Sequence, residues 1–271
     1  MKHRRKQRIP FLRIFIILMI VFSLGFLIVR EIAEYRHRAS VEEDIELLPG
    51  HGYDLNKLQR QENYMSYEDA HYSSSFGIDI SEHNGTIDFD KVKKAGVDFV
   101  IIRAGWRGAS EGVLHVDKCV EEYYRGAKNA GLEVGFYFFS QAVNEQEAVE
   151  EADYFVSIIK GKSFDLPLAY DYEDFPDGRI SDLTGEERTV NAKAFLERIR
   201  MHNYNAILYA NMAWLQDYYL IDEIRDYDLW FAQYYDLPEY TYPFSIWQYS
   251  ETGSIDGIEG NVDLNIRFDK K

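Results

Sequence analysis

Residues 98–105 read DFVIIRAG, residues 133–140 read EVGFYFFS, and between them residues 116–131 read VDKCVEEYYRGAKNAG. The two outer runs are almost continuously apolar and rich in β-branched and aromatic residues, the pattern of a strand buried on both faces of a parallel sheet. The middle segment has helical character and stops at a glycine, Gly131, a residue that ends helices well. Parallel neighbours need a crossover of this length between them, so the three segments together read as one strand–helix–strand unit.

The same unit extends in both directions. Upstream, FGIDI (76–80) is a strand and DFDKVKKAG (88–96) a helix ending at Gly96. Downstream, NEQEAVEEADYFVSIIKG (144–161) opens on Asn144 as N-cap with acidic residues in the first turn, which suits the helix dipole. LPLAYDYE (166–173) is a fourth strand, TGEERTVNAKAFLERIRMHN (184–203) a helix with a capping-box start, and AILYAN (206–211) a fifth strand. The rhythm then changes. DLWFAQY (228–234), FSIWQYS (244–250) and NVDLNIRF (261–268) read as three strands separated by short turns or a brief helix. Eight strands, the first five alternating with helices, predict an α/β fold, a TIM-like eight-stranded barrel of (β/α)5(β)3 type. A doubly wound open sheet is the alternative, but DISEHNGT (79–86) after the first strand has neither a dinucleotide nor a phosphate-loop glycine pattern.

Outside this body the chain divides further. Residues 1–8, MKHRRKQR, form a basic leader, and residues 9–29 are predominantly apolar with one charge, Arg13. Roughly 20 apolar residues span a bilayer core, and the basic leader places the remainder on the outer side. A cleaved signal peptide would end in small residues, whereas REIAEYRHRAS (30–40) is bulky and charged. The expectation is therefore a single-pass anchor at 9–29 preceding an irregular spacer at 30–75 and a folded domain at 76–271. His51 and His71 in the spacer lack metal-ligand spacing, and the lone Cys119 excludes an intrachain disulfide. The net charge is −16, and beyond residue 38 the chain carries 21 Lys and Arg against 44 Asp and Glu. That balance argues against nucleic acid as a partner.

In LPLAYDYE, strand alternation sends Asp171 and Glu173 to one side, ~6.5–7 Å apart along the chain, and Tyr170 and Tyr172 to the other. Alone, the run reads as a solvated acidic loop just past a strand, which Asp174 would continue. Catalytic groups of such barrels, however, sit at the C-terminal strand ends. Those ends supply Asp79, Arg103, Trp106, Tyr137, Asp171, Glu173, Tyr209, Asn211, Gln233, Trp247, Gln248, Tyr249 and Asp263. Each has an ordinary packing or capping explanation. Together they predict four carboxylates at one rim, surrounded by aromatic faces and amides. With no His/Cys metal cluster, no cofactor motif and no Ser-His-Asp arrangement, this chemistry suits glycoside hydrolysis: a protonated acid at the leaving oxygen and negative charge near a cationic sugar.

The segments GIDISEHNGTIDFDKVKKAGVDFVIIRAG (77–105), AGLEVGFYFFS (130–140), LPLAYDYE, LWFAQY (229–234), IWQYS (246–250) and NVDLN (261–265) resemble glycoside hydrolase family 25. These lysozymes cut between N-acetylmuramic acid and N-acetylglucosamine in peptidoglycan. The resemblance covers about residues 76–268. It implies Glu173 as general acid and then base, and Asp171 as the group that orients and stabilises the substrate's acetamido group during neighbouring-group attack. Asp79 and Asp263 would support the site, although Asp263 can also be read as a nucleophile or base. Trp106, Tyr137, Tyr209, Asn211, Gln233, Trp247, Gln248 and Tyr249 would contact substrate. The partner implied is the peptidoglycan of a bacterial wall, reached from the cytoplasmic membrane. Many members carry Tyr-His-Phe where this chain has Tyr137-Phe138-Phe139, so altered subsite contacts are expected there. A silent wall-binding module of the same fold and a hydrolase of another N-acetylated glycan are the alternatives.

Overall fold

A computed structural model describes residues 28, 30–33, 36, 50–175 and 178–271. The chain forms two compact units, Met1–Glu46 and Leu47–Lys271. In the first, the described positions are helical and exposed. The leader, and the anchor apart from Ile28, lie outside the described residues. Among those described, no helix is long and apolar enough to cross a membrane.

The second unit begins with a hairpin, β1 (Gln59–Gln61) and β2 (Tyr64–Ser66), and continues with β3 (Tyr72–Ile80), α1 (Phe89–Lys94), β4 (Phe99–Arg107), β5 (Leu114–Val116) and α2 (Val120–Asn129). Then follow β6 (Glu133–Ser140), α3 (Glu145–Ile159), β7 (Leu168–Tyr172), α4 (Gly185–Met201) and β8 (Ala206–Asn211). A short α5 (Ile221–Ile224) precedes β9 (Asp228–Ala232), β10 (Ile246–Gly253) and β11 (Val262–Lys270). Among the described residues, eight strands close a barrel in the order β3, β4, β6, β7, β8, β9, β10, β11, with β5 paired to the outer reach of β4. Strands β3 to β10 of the barrel run parallel. β11 is antiparallel to both β10 and β3, so the closing seam joins the first barrel strand to the last. The (β/α)5(β)3 pattern is thus present, with a reversed final strand.

The helix starts follow their caps. Asn144 accepts from the Glu147 amide at 3.0 Å, and Thr184 and Glu187 cap each other reciprocally. Inside the barrel, alternation builds a floor of apolar side chains from every second position: Phe99 and Ile101, Tyr137, Ala169, Ile207 and Tyr209, Trp230 and Ala232, Ile246. Gly77 makes room for this floor, because a Cβ there would collide with the Phe99 ring. The next inward positions up β3, β4, β7, β10 and β11 are Asp79, Arg103, Asp171, Gln248 and Asp263. The polar mouth is the same alternation carried one layer further.

The expected spacer is where the structure departs most from the sequence reading. Residues 50–75 belong to the second unit, not to a linker. Met65 and Tyr67 are fully buried. Tyr53 stacks on Phe268 at 4.0 Å between centroids and donates to the Phe244 carbonyl at 2.6 Å. The strands here are three residues long, too short to leave a period in the sequence, and their stability comes from aromatic packing beneath the barrel's last strand. Tyr53→Ala is expected to lower unfolding free energy by about 2 kcal/mol, less than a fully buried aromatic because Tyr53 is only partly buried. A denaturant midpoint identical to wild type would mean that this segment adds nothing to the fold.

Candidate active site

The carboxylates predicted at the rim converge. Asp79 and Asp263 are direct partners across the β3–β11 seam. Asp79 Oδ2 accepts from Gln248 Nε2 at 2.9 Å and from Asn265 Nδ2 at 2.7 Å. Asp263 also donates to Asp79, which requires Asp263 to hold a proton. Burial raises Asp79 above the usual carboxylate range, and these three donors oppose the shift. Asp263 is pushed up to about 9, first by burial and then by the charge and hydrogen bond of Asp79, with Glu251 and Glu173 adding to it.

On β7 the alternation is realised. Tyr170 packs on Phe195 of α4 with ring centroids 4.5 Å apart, and Tyr172 donates to the Ala142 carbonyl at 2.6 Å. Asp171 therefore faces the barrel interior, where it is buried with Oδ1 free of any hydrogen-bond partner among the described residues. Burial raises it well above its ordinary range, and the charges of Glu173 and Asp79 reinforce this against Arg103. Glu173 lies one residue beyond the strand and is half-buried. Burial, then Asp79 and Glu251, push it up to about 7. Asp174 turns the other way, towards buried Arg188, with Oδ2 3.4 Å from Nη2.

The turn carrying Glu173 is held from behind. Gln141 Nε2 donates to the Glu173 carbonyl at 2.6 Å, while the Gln141 amide donates to Glu151 Oε1 at 3.2 Å. Glu151 is fully buried and accepts from Arg107 Nε at 2.7 Å. Arg179 adds a bond to the Gln141 carbonyl at 3.1 Å. A buried ion pair thus fixes the loop that positions Glu173.

The expected substrate contacts divide. Tyr209 donates to Gln248 Oε1 at 2.9 Å, and Tyr137 faces the same carboxylates from the floor, its ring against Trp230. Trp106 stacks on His115 under the Arg103 guanidinium, 4.6 Å away, and lines a pocket of about 400 Å³ with Arg103, Phe139 and Phe175. Three residues do other work. Trp247 is fully buried and donates to the Gln233 carbonyl, because Gln248 takes the inward position and its neighbour must point outward. Gln233 ties its own loop to Glu239. Asn211 accepts from the Trp214 amide at 3.0 Å as a local cap. Tyr249 also points outward but lines a second pocket, beside Tyr234. Phe138, at the position where family members often carry His, packs between Phe155 and Phe195 in the helical layer, so it alters no subsite.

Two contributors were not singled out from sequence. Asn265 lies two residues after Asp263 on the same face of β11 and is held by Trp230 Nε1 at 2.8 Å. Tyr234 donates to Gln248 Oε1 at 3.0 Å from the loop after β9. Period-two counting from Asp263 would have found the first; nothing local marks the second. Among the described residues, no group of three or more His, Cys, Asp or Glu is arranged to hold a metal.

Residues 78–258 match the sequence model of glycosyl hydrolases family 25. The autolytic lysozyme of Clostridium acetobutylicum is 32% identical over 190 residues, 70% of this chain and 54% of that protein. Lysozyme M1 of Streptomyces globisporus is 28% identical over 200 residues, 70% of this chain and 66% of that protein. The chain thus spans about half to two thirds of the length of these relatives. The crystal structure of a Streptomyces coelicolor lysozyme superposes with a TM-score of 0.61 at 28% identity, covering 70% of this chain and 90% of that one. With a closed eight-stranded barrel, buried carboxyls gathered at its mouth and a family match over residues 78–258, this chain belongs to glycosyl hydrolases family 25.

Proposed function

We propose that this protein hydrolyses the β-1,4 bond between N-acetylmuramic acid and N-acetylglucosamine in peptidoglycan. The observation that carries this reading is a half-buried Glu173, its carboxyl pushed up to about 7 by burial, beside a buried Asp171 with one oxygen unpartnered among the described residues. An acid with that pKa can protonate a leaving glycosidic oxygen at neutral pH. Asp171 Oδ1 is suited to accept the N–H of a substrate acetamido group. That contact would hold the acetamido oxygen against the anomeric carbon and stabilise the positive charge as the oxygen attacks and the C–O bond breaks. Glu173, now a carboxylate, takes a proton from water as the water opens the cyclic intermediate. Asp79 and Asp263 keep the mouth negative overall while retaining a shared proton.

Glu173→Gln should lower turnover by about 10²–10⁴-fold with folding and binding intact, measured as reducing ends released from purified wall fragments. Asp171→Asn should be comparably severe, because an amide cannot carry the compensating charge. Near-normal turnover in a folded Glu173→Gln would remove it as the acid, and fragment masses identify which bond is cut.

Activity should fall as pH rises through about 7, where Glu173 loses its proton. Stability has the same sign. The raised carboxyls bind protons more tightly in the folded chain, so their stabilising effect is complete below the ordinary carboxylate range and is lost as pH rises towards about 9. Asp263→Asn keeps a donor to Asp79 and removes the titration, so it should raise Tm at pH 8 by a few degrees and by less at pH 4. An equal shift at both pH values would contradict the proton assignment.

The apolar residues 9–29 favour a membrane-held enzyme working on the adjacent wall. On that reading the whole protein fractionates with membranes; recovery of the bulk as a soluble form beginning near residue 40 would refute it.

A further inference from the structure

The β1–β2 hairpin lies upstream of the family match, which begins at residue 78, yet it reaches the mouth of the barrel. Tyr249 donates to the Asn63 carbonyl at 2.7 Å, and Asn63 Nδ2 donates to the Ser254 carbonyl at 2.9 Å. Tyr64 meets Phe76 edge-on at 5.0 Å. These contacts place Arg60 with its guanidinium 5.9 Å from the centre of the Tyr249 ring and Nη1 2.6 Å from Asp236 Oδ1. A pocket of about 610 Å³ results, bounded by Arg60, Tyr234, Asp236, Tyr249 and Glu251. That volume is within the range of small-ligand sites.

Hydrogen bonds and charge link the pocket to the carboxylates. Tyr234 donates to Gln248, which donates to Asp79, and the Glu251 charge acts on both Glu173 and Asp263. In strand order, β9 and β10 lie across the barrel from β4, which carries the Arg103–Trp106 pocket. A saccharide chain crossing the mouth would therefore leave the carboxylates on the Arg60 side. An anionic chain would meet Asp236 and Glu251 there, and Arg60 supplies the opposing charge. Its pairing with Asp236 is solvent-exposed, with side-chain exposures of 39% and 95%, so it is weak and readily exchanged for a substrate carboxylate. A planar guanidinium matches a carboxylate with two parallel bonds.

We infer that the β1–β2 hairpin forms one wall of a second saccharide subsite, away from the cleaved bond, and that Arg60 is its specificity-determining residue for a carboxylate on the glycan. The carboxylate belongs either to the muramic sugar's own acid side group or to the peptide stem attached to it. The inference rests on the muramidase reading above. It predicts a preference for longer fragments that depends on Arg60 and acts mainly through KM.

The test compares kcat/KM on tetrasaccharide and octasaccharide wall fragments, each with and without peptide, for the full chain and for Arg60→Ala and Arg60→Lys. The octasaccharide-to-tetrasaccharide ratio should fall about tenfold in Arg60→Ala, as for a charge-assisted contact at a part-exposed site, and recover in part in Arg60→Lys. Loss in the peptide-free series assigns the sugar carboxylate; loss confined to the peptide-bearing series assigns the stem. An unchanged ratio in both series overturns the subsite, even if both rates fall together, since a merely structural role lowers both equally. A wild-type chain that cleaves neither length would sink the muramidase reading by itself. Calorimetric binding of the octasaccharide to Glu173→Gln and to Glu173→Gln/Arg60→Ala then decides the subsite, and equal affinities overturn it.

Discussion

Asp79 is a buried carboxylate with three donors drawn from the far end of the chain, and the molecule is organised around satisfying it. Gln248 and Asn265 reach it from 169 and 186 residues away. Asp263 adds a shared proton. Burying an ionisable group without partners is expensive, and removing one partner from a satisfied cluster leaves the desolvation uncompensated. Supplying the three donors requires β3, β10 and β11 to be in register at one level, and that requirement closes the barrel. Burial, reinforced by the charge held there, raises Asp171 and pushes Glu173 up to about 7 and Asp263 up to about 9. Closure and acid chemistry share one physical cause.

Two pockets flank this cluster, one lined by Arg103 and Trp106 and the other by Tyr234 and Tyr249. Carboxylates dominate the mouth, so positive charge near it comes from residues such as Arg60 and Arg103, each paired with an acid.

Much of the architecture was legible in the sequence because its signals are local. AILYAN and EVGFYFFS coincide with β8 and β6, and the caps at Asn144 and Thr184 start α3 and α4. The convergence of Asp79, Asp171, Glu173 and Asp263 was legible too, since strand ends in a barrel share one rim. What failed was phase and distance. In IWQYS, one of two faces had to be inward; Gln248 takes it, which sends Trp247 into the core. The reversed direction of β11 depends on a turn whose geometry its residues do not announce. Residues 50–75 read as polar and irregular because their buried apolar side chains are few, Met65 and Tyr67 among them, and the partner of Tyr53 and Tyr67 is Phe268. Periodicity cannot report a contact made at that separation.

The antiparallel seam between β3 and β11 has a temporal consequence. Eight residue pairs, from Asp263↔Asp79 to Lys270↔Tyr72, join the first barrel strand to the last residues of this chain. Until β11 has been made, β3 and β10 are exposed edges, and pairings of such long sequence separation form slowly. A nascent chain would hold the two halves of the carboxylate cluster on segments that have not yet met. The carboxylate cluster is complete only once β11 has been made, so a polypeptide cut short before residue 263 lacks both the closed barrel and the hydrogen-bonded Asp79.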